Sequence, residues 1–160
     1  MSSRTQPGSV LFVCNLNSVR SPMAEALMKS ICGKRIYVDS AGLAPTERDP
    51  FVLEVLNEIG VDMAADRPMS VEDIGIGSFD LIVCLTEEAR ERISAELRGE
   101  AVEIEFWPTI DPFAAGERGS REQRLHAYRQ LREELRRMIS DRFAGGEKAR
   151  TGGAERRIPR

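Results

Sequence analysis

Short, continuous apolar runs alternate along this chain with segments whose apolar residues recur at helical spacing. The first run, SVLFVC at Ser9–Cys14, contains β-branched residues and is typical of a strand buried on both faces. From Ser21 the period changes, because Ala24, Leu27 and Ile31 recur at helical spacing after a proline that suits a first helical turn. The chain therefore begins with a strand, a loop and a helix.

The same alternation continues to the end of the apolar part of the chain. Further strands are predicted at residues 36–42, 79–85 and 101–107, and further helices at residues 50–60, 86–99 and 120–143. Between residues 61 and 78 the pattern predicts only a helical turn after Ser70. Because strands joined by crossover helices pair in parallel with right-handed connections, the order predicts an α/β fold. We expect a single three-layer domain with a four-stranded parallel sheet and helices on both faces.

Length, composition and charge set the domain count and the classes of partner. A chain of 160 residues, 41% of them hydrophobic, suffices for one globular domain with its own core. We expect a disordered N-terminus at residues 1–8, one domain at residues 9–144 and a disordered, apolar-poor tail at residues 145–160. The net charge of −3 and the lack of a long apolar run or signal-peptide pattern predict a cytoplasmic protein that binds neither nucleic acid nor membranes.

The three cysteines do not form a recognisable pattern. Cys14, Cys32 and Cys84 are widely spaced, without a CxxC or histidine-paired spacing, which argues against a disulfide framework and against a metal site. We expect no metal and no cofactor. Cys32 and Cys84 are predicted to be buried, inert thiols. The single histidine, His126, is predicted to lie on the surface without a catalytic role.

The loop from Cys14 to Ser21 joins the first strand to the first helix. In parallel α/β sheets ligands bind at the carboxyl ends of the strands, so this loop lies where a site is expected. So short a turn points backbone N–H groups inward, and the helix dipole adds partial positive charge. The loop is therefore predicted to bind an anion, with Arg20 supplying a planar fork of donors to a tetrahedral oxyanion. The predicted lining residues are Asn15, Leu16, Asn17, Ser18 and Val19.

Cys14 lies at the floor of this predicted anion site. The field that attracts an anion also stabilises a thiolate over a thiol, which makes Cys14 a candidate nucleophile. Ser21 can donate its hydroxyl to the sulfur, and Asn17 is the loop residue best able to adopt a left-handed conformation. A cysteine followed at six residues by an arginine arises easily by chance in an arginine-rich chain. Its position between a buried strand and a Ser-Pro helix start makes the pattern informative.

A candidate proton donor lies in the sequence TIDPFAAG. Phosphoryl transfer to a thiolate requires a proton for the departing oxygen. Asp111 suits this role because Pro112 stiffens the turn and Phe113 is an apolar neighbour that favours a protonated carboxyl. Considered without the Cys14 loop, the same residues are better explained as an Asp-Pro turn without chemistry.

These residues resemble the low-molecular-weight protein tyrosine phosphatases and the arsenate reductases that share their fold. The likeness spans Val10 to about Phe143. It rests on the Cys14–Ser21 loop followed by SPMAE, on DSAG at residues 39–42, on FDLIVCL in the third strand and on Asp111-Pro112. It implies a flavodoxin-like fold of the phosphotyrosine phosphatase I type and a phosphatase-like catalytic domain at residues 9–144.

The resemblance also implies roles for individual residues. Cys14 would form a phosphocysteine, Arg20 would bind the phosphoryl oxygens, and Asp111 would act first as acid and then as base. Asn17, Ser21 and Ser40 match supporting hydrogen-bond positions, and Phe113 matches a position that contacts a phenyl ring.

The chain departs from the phosphatase pattern at several positions. Val19 stands where these phosphatases often carry a second cysteine, and Asn15 and Leu16 replace a usual leucine-glycine pair. The aromatic pair that often follows the Asp-Pro is reduced to Phe113 followed by alanine. By contrast, NSVRS and Trp107 resemble the arsenate reductase form.

Three functional hypotheses follow. The first is a metal-independent phosphomonoesterase acting on phosphotyrosine or a similar aryl phosphate, carried by a phosphorylated protein or a small molecule. The second is an arsenate reductase that uses an external reducing thiol, because no cysteine lies between Leu85 and Arg160 to relay oxidation. The third is a non-catalytic oxyanion-binding regulatory protein, against which the intact Cys14, Arg20 and Asp111 argue.

Overall fold

The computed structural model describes residues 6–63, 67–112 and 119–144. Four strands are present within these residues: β1 (Ser9–Cys14), β2 (Tyr37–Gly42), β3 (Leu81–Cys84) and β4 (Glu103–Phe106). The α-helices described are α1 (Arg20–Cys32), α2 (Pro50–Asn57), α3 (Glu87–Glu96) and α4 (Arg121–Ile139), the last continued by a π-helical turn at Ser140–Ala144. A short 3-10 helix at Ile76–Ser78 precedes β3. Residues 1–5 of the predicted N-terminus, the whole predicted tail at 145–160 and Phe113 lie outside the described residues.

The sheet is parallel throughout and has the order β2-β1-β3-β4, which confirms the predicted four-stranded parallel sheet. At the carboxyl end of β1, Cys14 pairs with Gly42 of β2, and Val13 pairs with Cys84 of β3. The chain passes from β1 to β2 on one side and returns to β3 on the other side, so strand order reverses at β1. Such a reversal leaves a crevice above the carboxyl ends of the strands, and the residue at its floor is Cys14.

Helices cover both faces of the sheet, as predicted. Val10 and Phe12 of β1 belong to an apolar core shared with α1, α2 and α4. The alternate residues Leu11 and Val13 belong to a second core shared with Ala89 of α3. This alternation follows from the two-residue repeat of a strand and confirms the three-layer arrangement.

Several predicted elements are longer than those observed. The helices predicted to residues 60 and 99 end at Asn57 and Glu96, because the turns that follow close on glycines with φ values of 72° and 85°. The strands predicted at 79–85 and 101–107 are limited to the residues that find partners in the short β3–β4 register. The helix predicted over 120–143 is α-helical only to Ile139 and then widens to a π turn.

The cap of α3, the two other cysteines and the single histidine lie as predicted. Thr86 caps α3 by accepting the N–H of Ala89 at 3.1 Å. Cys32 and Cys84 are buried, and burial raises the pKa of the Cys84 thiol to about 12. His126 is exposed on α4. Within the described segments, no helix is long and apolar enough to cross a membrane.

An ion-pair network joins the end of α2 to α4. Arg129 donates to Glu58 at 2.7 Å, and Arg132 donates at 2.8 Å both to Glu58 and to the backbone carbonyl of Val55. Hydrogen bonds from Arg129, together with those from Arg132, lower the pKa of the Glu58 carboxyl from 4.5 to about 2. Because the folded-state pKa is depressed, this stabilisation is complete above pH 4.5 and is lost as the pH falls towards 2.

We therefore expect Glu58→Gln to lower the free energy of unfolding near neutral pH by about 1 kcal/mol, once solvent screening of this half-exposed pair is allowed for. The difference from the unmodified protein should shrink between pH 4.5 and pH 2. Urea unfolding at several pH values measures it, with the exposed Glu91→Gln on α3 as the control. A difference in stability that stays constant down to pH 2 would show that the ionised Glu58 carboxylate is not the source of this stabilisation.

Candidate active site

The Cys14–Ser21 loop connects β1 to α1 in the predicted manner. Asn17 adopts φ 53°, the left-handed conformation expected for it. Helix α1 begins at Arg20, one residue earlier than predicted, and no described side chain makes a capping hydrogen bond at its N-cap, Val19. The first N–H groups of α1 are therefore not used by a side-chain cap, and uncapped N–H groups at a helix start suit an anion.

All five consecutive carbonyls from Cys14 to Ser18 accept hydrogen bonds from one neighbouring segment, residues 43–49. The donors, in the same order, are Leu43 N (3.1 Å), Ala44 N (2.8 Å), Thr46 N (3.0 Å), Arg48 Nε (3.1 Å) and Asp49 N (3.2 Å). In a planar trans peptide the C=O and the next N–H point in opposite directions. The N–H groups of residues 15–19 are therefore directed away from the 43–49 segment. Successive N–H groups pointing to one side are an arrangement that suits an anion.

Gly42 permits this close packing of the 43–49 segment under the loop. A Cβ placed on Gly42 would lie 2.7 Å from the Asn17 backbone nitrogen and 2.8 Å from the Leu16 carbonyl carbon. Both atoms are backbone atoms, so rotation of a side chain cannot relieve the clash. Gly42 is therefore required by the loop above it, a role that the sequence analysis did not assign.

Gly42→Ala is expected to displace the loop, to lower activity by at least about tenfold and to cost about 1–3 kcal/mol in stability. The matched control is Gly75→Ala, where the added Cβ meets nothing closer than 3.6 Å. Thermal unfolding and steady-state kinetics on both variants measure the effect. Equal behaviour of the two variants would show that the close approach at Gly42 is not a constraint.

The Cys14 sulfur is buried and has two polar neighbours. Its Sγ lies 3.0 Å from the Ser21 hydroxyl and accepts the backbone N–H of Asn17 at 3.3 Å. The carbonyl of Ala41 is a second acceptor for the Ser21 hydroxyl, at 3.3 Å. A thiolate sulfur can accept a hydrogen bond but cannot donate one. In that state the Ser21 hydroxyl therefore donates its hydrogen to the Cys14 sulfur. The geometry suits stabilisation of a thiolate, as expected for Ser21.

Asn17 contacts Ser21 at the end of the loop and connects the loop to two other parts of the chain. Its Nδ2 donates to Ser21 Oγ at 2.8 Å and to Ser40 Oγ at 3.0 Å, and its Oδ1 accepts the backbone N–H of Met69 at 2.9 Å. Ser40 in turn donates to the buried carboxylate of Glu25 at 2.6 Å. The expected grouping of Asn17, Ser21 and Ser40 is thus present, and the segment around Met69 is part of it.

Asp49 ties the 43–49 segment to two helices. Its side chain caps α2 by accepting the N–H of Phe51 at 3.0 Å, and it also accepts the hydroxyl of Tyr128 on α4. Burial and the neighbouring Asp49 carboxylate raise the pKa of Tyr128, so this hydroxyl stays a donor. The support beneath the loop is therefore anchored to α4.

Arg20 and Asp111 both lie at the edge of the sheet formed by the carboxyl ends of its strands. Arg20 is half-buried, and its Nη1 donates to the carbonyl of Thr109 at 3.4 Å. The segment after β4 is also held above the sheet, because Trp107 N donates to the Cys84 carbonyl at 2.8 Å. Asp111 is exposed and lies two residues after Thr109, whose carbonyl Arg20 contacts.

The remaining predicted lining residues divide into two groups. Asn17, Ser18 and Val19 are buried. Asn15 is half-buried and accepts the Thr86 hydroxyl at 2.7 Å, and Leu16 is 41% exposed. No group of three or more histidine, cysteine or acidic side chains able to hold a metal is found within the described residues.

Comparison with known proteins gives a consistent result. The family described as "Low molecular weight phosphotyrosine protein phosphatase" matches residues 9–141. A glutaredoxin arsenate reductase of Synechocystis is 25% identical over 84% of this chain and 95% of that protein. Arsenate reductase 2 of Staphylococcus epidermidis is 30% identical over 73% of this chain and 86% of that protein. The structure of the YwlE arginine phosphatase from Geobacillus stearothermophilus superposes with a TM-score of 0.73 at 25% identity, covering 95% of this chain and all of that one.

Proposed function

The chain belongs to the low molecular weight phosphotyrosine protein phosphatase family, and on that premise we propose that it hydrolyses phosphotyrosine or similar aryl phosphates through a phosphocysteine at Cys14. The proposal rests above all on the five carbonyls of Cys14–Ser18. They all accept hydrogen bonds from residues 43–49, so the N–H groups of the loop point to the opposite side. An oxyanion bound by these N–H groups and by the fork of Arg20 would sit over the sulfur of Cys14.

In the first step, the Cys14 thiolate attacks phosphorus and an S–P bond forms while the P–O bond to the leaving group breaks. The equatorial oxygens gain charge in the transition state, which the loop N–H groups and Arg20 stabilise. Asp111 gives its proton to the departing oxygen. The products of this step are a free phenol, a phosphocysteine and an ionised Asp111.

In the second step, water attacks the phosphocysteine. The Asp111 carboxylate accepts a proton from the water, the O–P bond forms and the S–P bond breaks. The Ser21 hydroxyl, 3.0 Å from the sulfur, stabilises the departing thiolate. The cycle returns inorganic phosphate, a thiolate and a protonated Asp111, and no metal takes part.

The aryl character of the substrate is supported by the mouth of the site. Leu16 of the loop is 41% exposed. Exposed aliphatic groups beside an anion site suit an aromatic ring attached to the phosphate. Phosphoarginine is the competing substrate class because the YwlE structure is described as an arginine phosphatase. The reducing cytoplasm is the compartment we propose, because it keeps a reactive thiol reduced.

Arsenate reduction is the second candidate, favoured by the arsenate reductases among the relatives. Arsenate would bind as phosphate does and form an S–As bond to Cys14 with loss of water. An external thiol would then attack the Cys14 sulfur, so that arsenic gains two electrons and leaves as arsenite while a mixed disulfide forms. A second external thiol would restore Cys14, since the chain has no cysteine after Cys84.

Hydrolysis of p-nitrophenyl phosphate across pH, with phosphotyrosine and phosphoarginine peptides in parallel, tests the proposal. Turnover of aryl phosphates in the presence of a chelator supports it. No turnover by folded protein with a reduced Cys14, together with thiol-dependent formation of arsenite, favours the second candidate. Phosphate binding without either reaction would indicate a non-catalytic oxyanion-binding protein.

A further inference from the structure

The segment that carries Asp111 is held by three different parts of the fold. The Thr109 hydroxyl donates to the carbonyl of Leu85 at 3.4 Å, and the Thr109 carbonyl accepts from Arg20 at 3.4 Å. A third contact comes from α4, where the carboxylate of Glu134 accepts the backbone N–H of Ile110 at 3.1 Å. We propose that Glu134 is a positioning residue that fixes the direction of the Asp111 side chain, an inference that rests on the proposed function.

The direction of the Asp111 side chain depends on the backbone torsions of Asp111 and of its neighbours. A residue before proline is restricted to extended conformations, so Pro112 limits the backbone of Asp111 itself. Pro112 is buried, which fixes the chain on that side. The backbone of the preceding residue, Ile110, also sets the direction of Asp111, and Ile110 is 43% exposed. The hydrogen bond from Ile110 N to Glu134 restrains this residue.

Glu134 is suited to this role by its place on α4. The flanking residues Leu131 and Leu135 are fully buried, so the helix presents Glu134 from a fixed backbone. A carboxylate accepts a backbone N–H more strongly than a neutral group does. Displacement of a catalytic group by about 1 Å can cost a large factor in rate, so even a surface tether affects proton transfer.

The test uses Glu134→Ala and Glu134→Gln, with Glu133→Ala as the matched control. Glu133 is the adjacent acid, half-exposed and paired with Arg132 and Arg136 rather than with the Asp111 segment. Removing either carboxylate changes the net charge equally. The glutamine variant keeps an oxygen that can accept the Ile110 N–H and is expected to restore the rate.

The readout is the dependence of kcat/KM on the leaving group. Aryl phosphates with poor leaving groups need the proton of Asp111, whereas dinitrophenyl phosphate does not. We expect Glu134→Ala to lower the rate about tenfold for poor leaving groups and less than about twofold for dinitrophenyl phosphate. In an Asp111→Asn background the same change should have no effect, because the group it positions is gone. An equal loss for all leaving groups, or an undiminished loss in the Asp111→Asn background, would overturn the proposal.

A second measurement separates this proposal from the proposed function. Hydrogen exchange of the Ile110 amide, measured by NMR, should be faster in Glu134→Ala than in Glu133→Ala whether or not the protein turns over phosphate. If the unmodified protein has no phosphatase activity, the proposed function fails while exchange still tests the tether. Unchanged exchange at Ile110 in Glu134→Ala would show that Glu134 does not hold the Ile110 N–H, and would overturn the proposal.

Discussion

Cys14→Ser is expected to lower the turnover of aryl phosphates by at least about 10⁴-fold, because a neutral serine hydroxyl is a much weaker nucleophile and its oxyanion a poorer leaving group than a thiolate. Serine nearly preserves the volume and polarity of the site, so the fold and the hydrogen bond to Ser21 should remain. Binding of phosphate or tungstate, measured by calorimetry, should therefore persist. Steady-state kinetics with p-nitrophenyl phosphate gives the loss of rate.

The matched control is Cys32→Ser at the end of α1. Cys32 is as buried as Cys14, each being 3% exposed, but it is not a member of the anion-binding loop. Its replacement should leave turnover within about twofold, with at most a small loss of stability. Full turnover by Cys14→Ser would show that the reaction does not proceed through this sulfur.

Asp111→Asn is expected to lower kcat by about 10²- to 10⁴-fold with phenyl phosphate, the range that general acid–base catalysis supplies. The amide cannot give up a proton to the leaving oxygen or accept one from water. The fall in rate with rising pH that reports loss of the acid proton should disappear in the variant. Rates measured across pH with substrates of different leaving-group strength test both statements.

Asp141→Asn provides the control for the change of charge. Asp141 is exposed on the π-helical turn after α4 and has no place in the proposed mechanism. Its replacement should leave the pH profile unchanged. A pH profile for Asp111→Asn identical to that of the unmodified protein would assign the proton to another group.

The local part of the site was predictable from sequence because it depends on neighbouring residues. Cys14, Asn17, Arg20 and Ser21 lie within one strand–loop–helix unit, and the change from strand to helix period marks that unit. The left-handed conformation of Asn17 also follows from its residue type. Asp111 was predicted from its Asp-Pro turn only once the loop had suggested a need for a proton.

The support of the site was not predictable because it comes from distant residues. The donors to the loop carbonyls lie at residues 43–49, and the N–H of Met69 reaches Asn17 from a segment whose pattern predicted only a helical turn. Nothing in the spacing of Gly42 or Glu134 reveals which backbone atoms approach them. Such contacts depend on how the crossover connections bring distant loops together. The spacing of apolar residues in a single sequence does not reveal which loops meet.

The boundaries of elements were also less predictable than their order. Apolar residues such as Leu85 and Trp107 continue the strand pattern beyond the last paired residues, because they pack in the core while the backbone turns towards the site. Their backbone N–H groups bond to the carbonyls of Val13 and Cys84 and direct the chain across the carboxyl end of the sheet. The departures from regular structure therefore lie where the site is formed.

Trapping the phosphocysteine tests directly whether hydrolysis proceeds through the Cys14 sulfur. The protein would be mixed with an aryl phosphate, quenched with acid within milliseconds to seconds and digested for mass spectrometry, with Cys32→Ser and Cys14→Ser treated in the same way. We expect a phosphoryl group bonded to the Cys14 sulfur, present in Cys32→Ser, and no cysteine-bound phosphoryl group in Cys14→Ser. Turnover with no adduct on Cys14 at any quench time, or with an adduct on another residue, would contradict it.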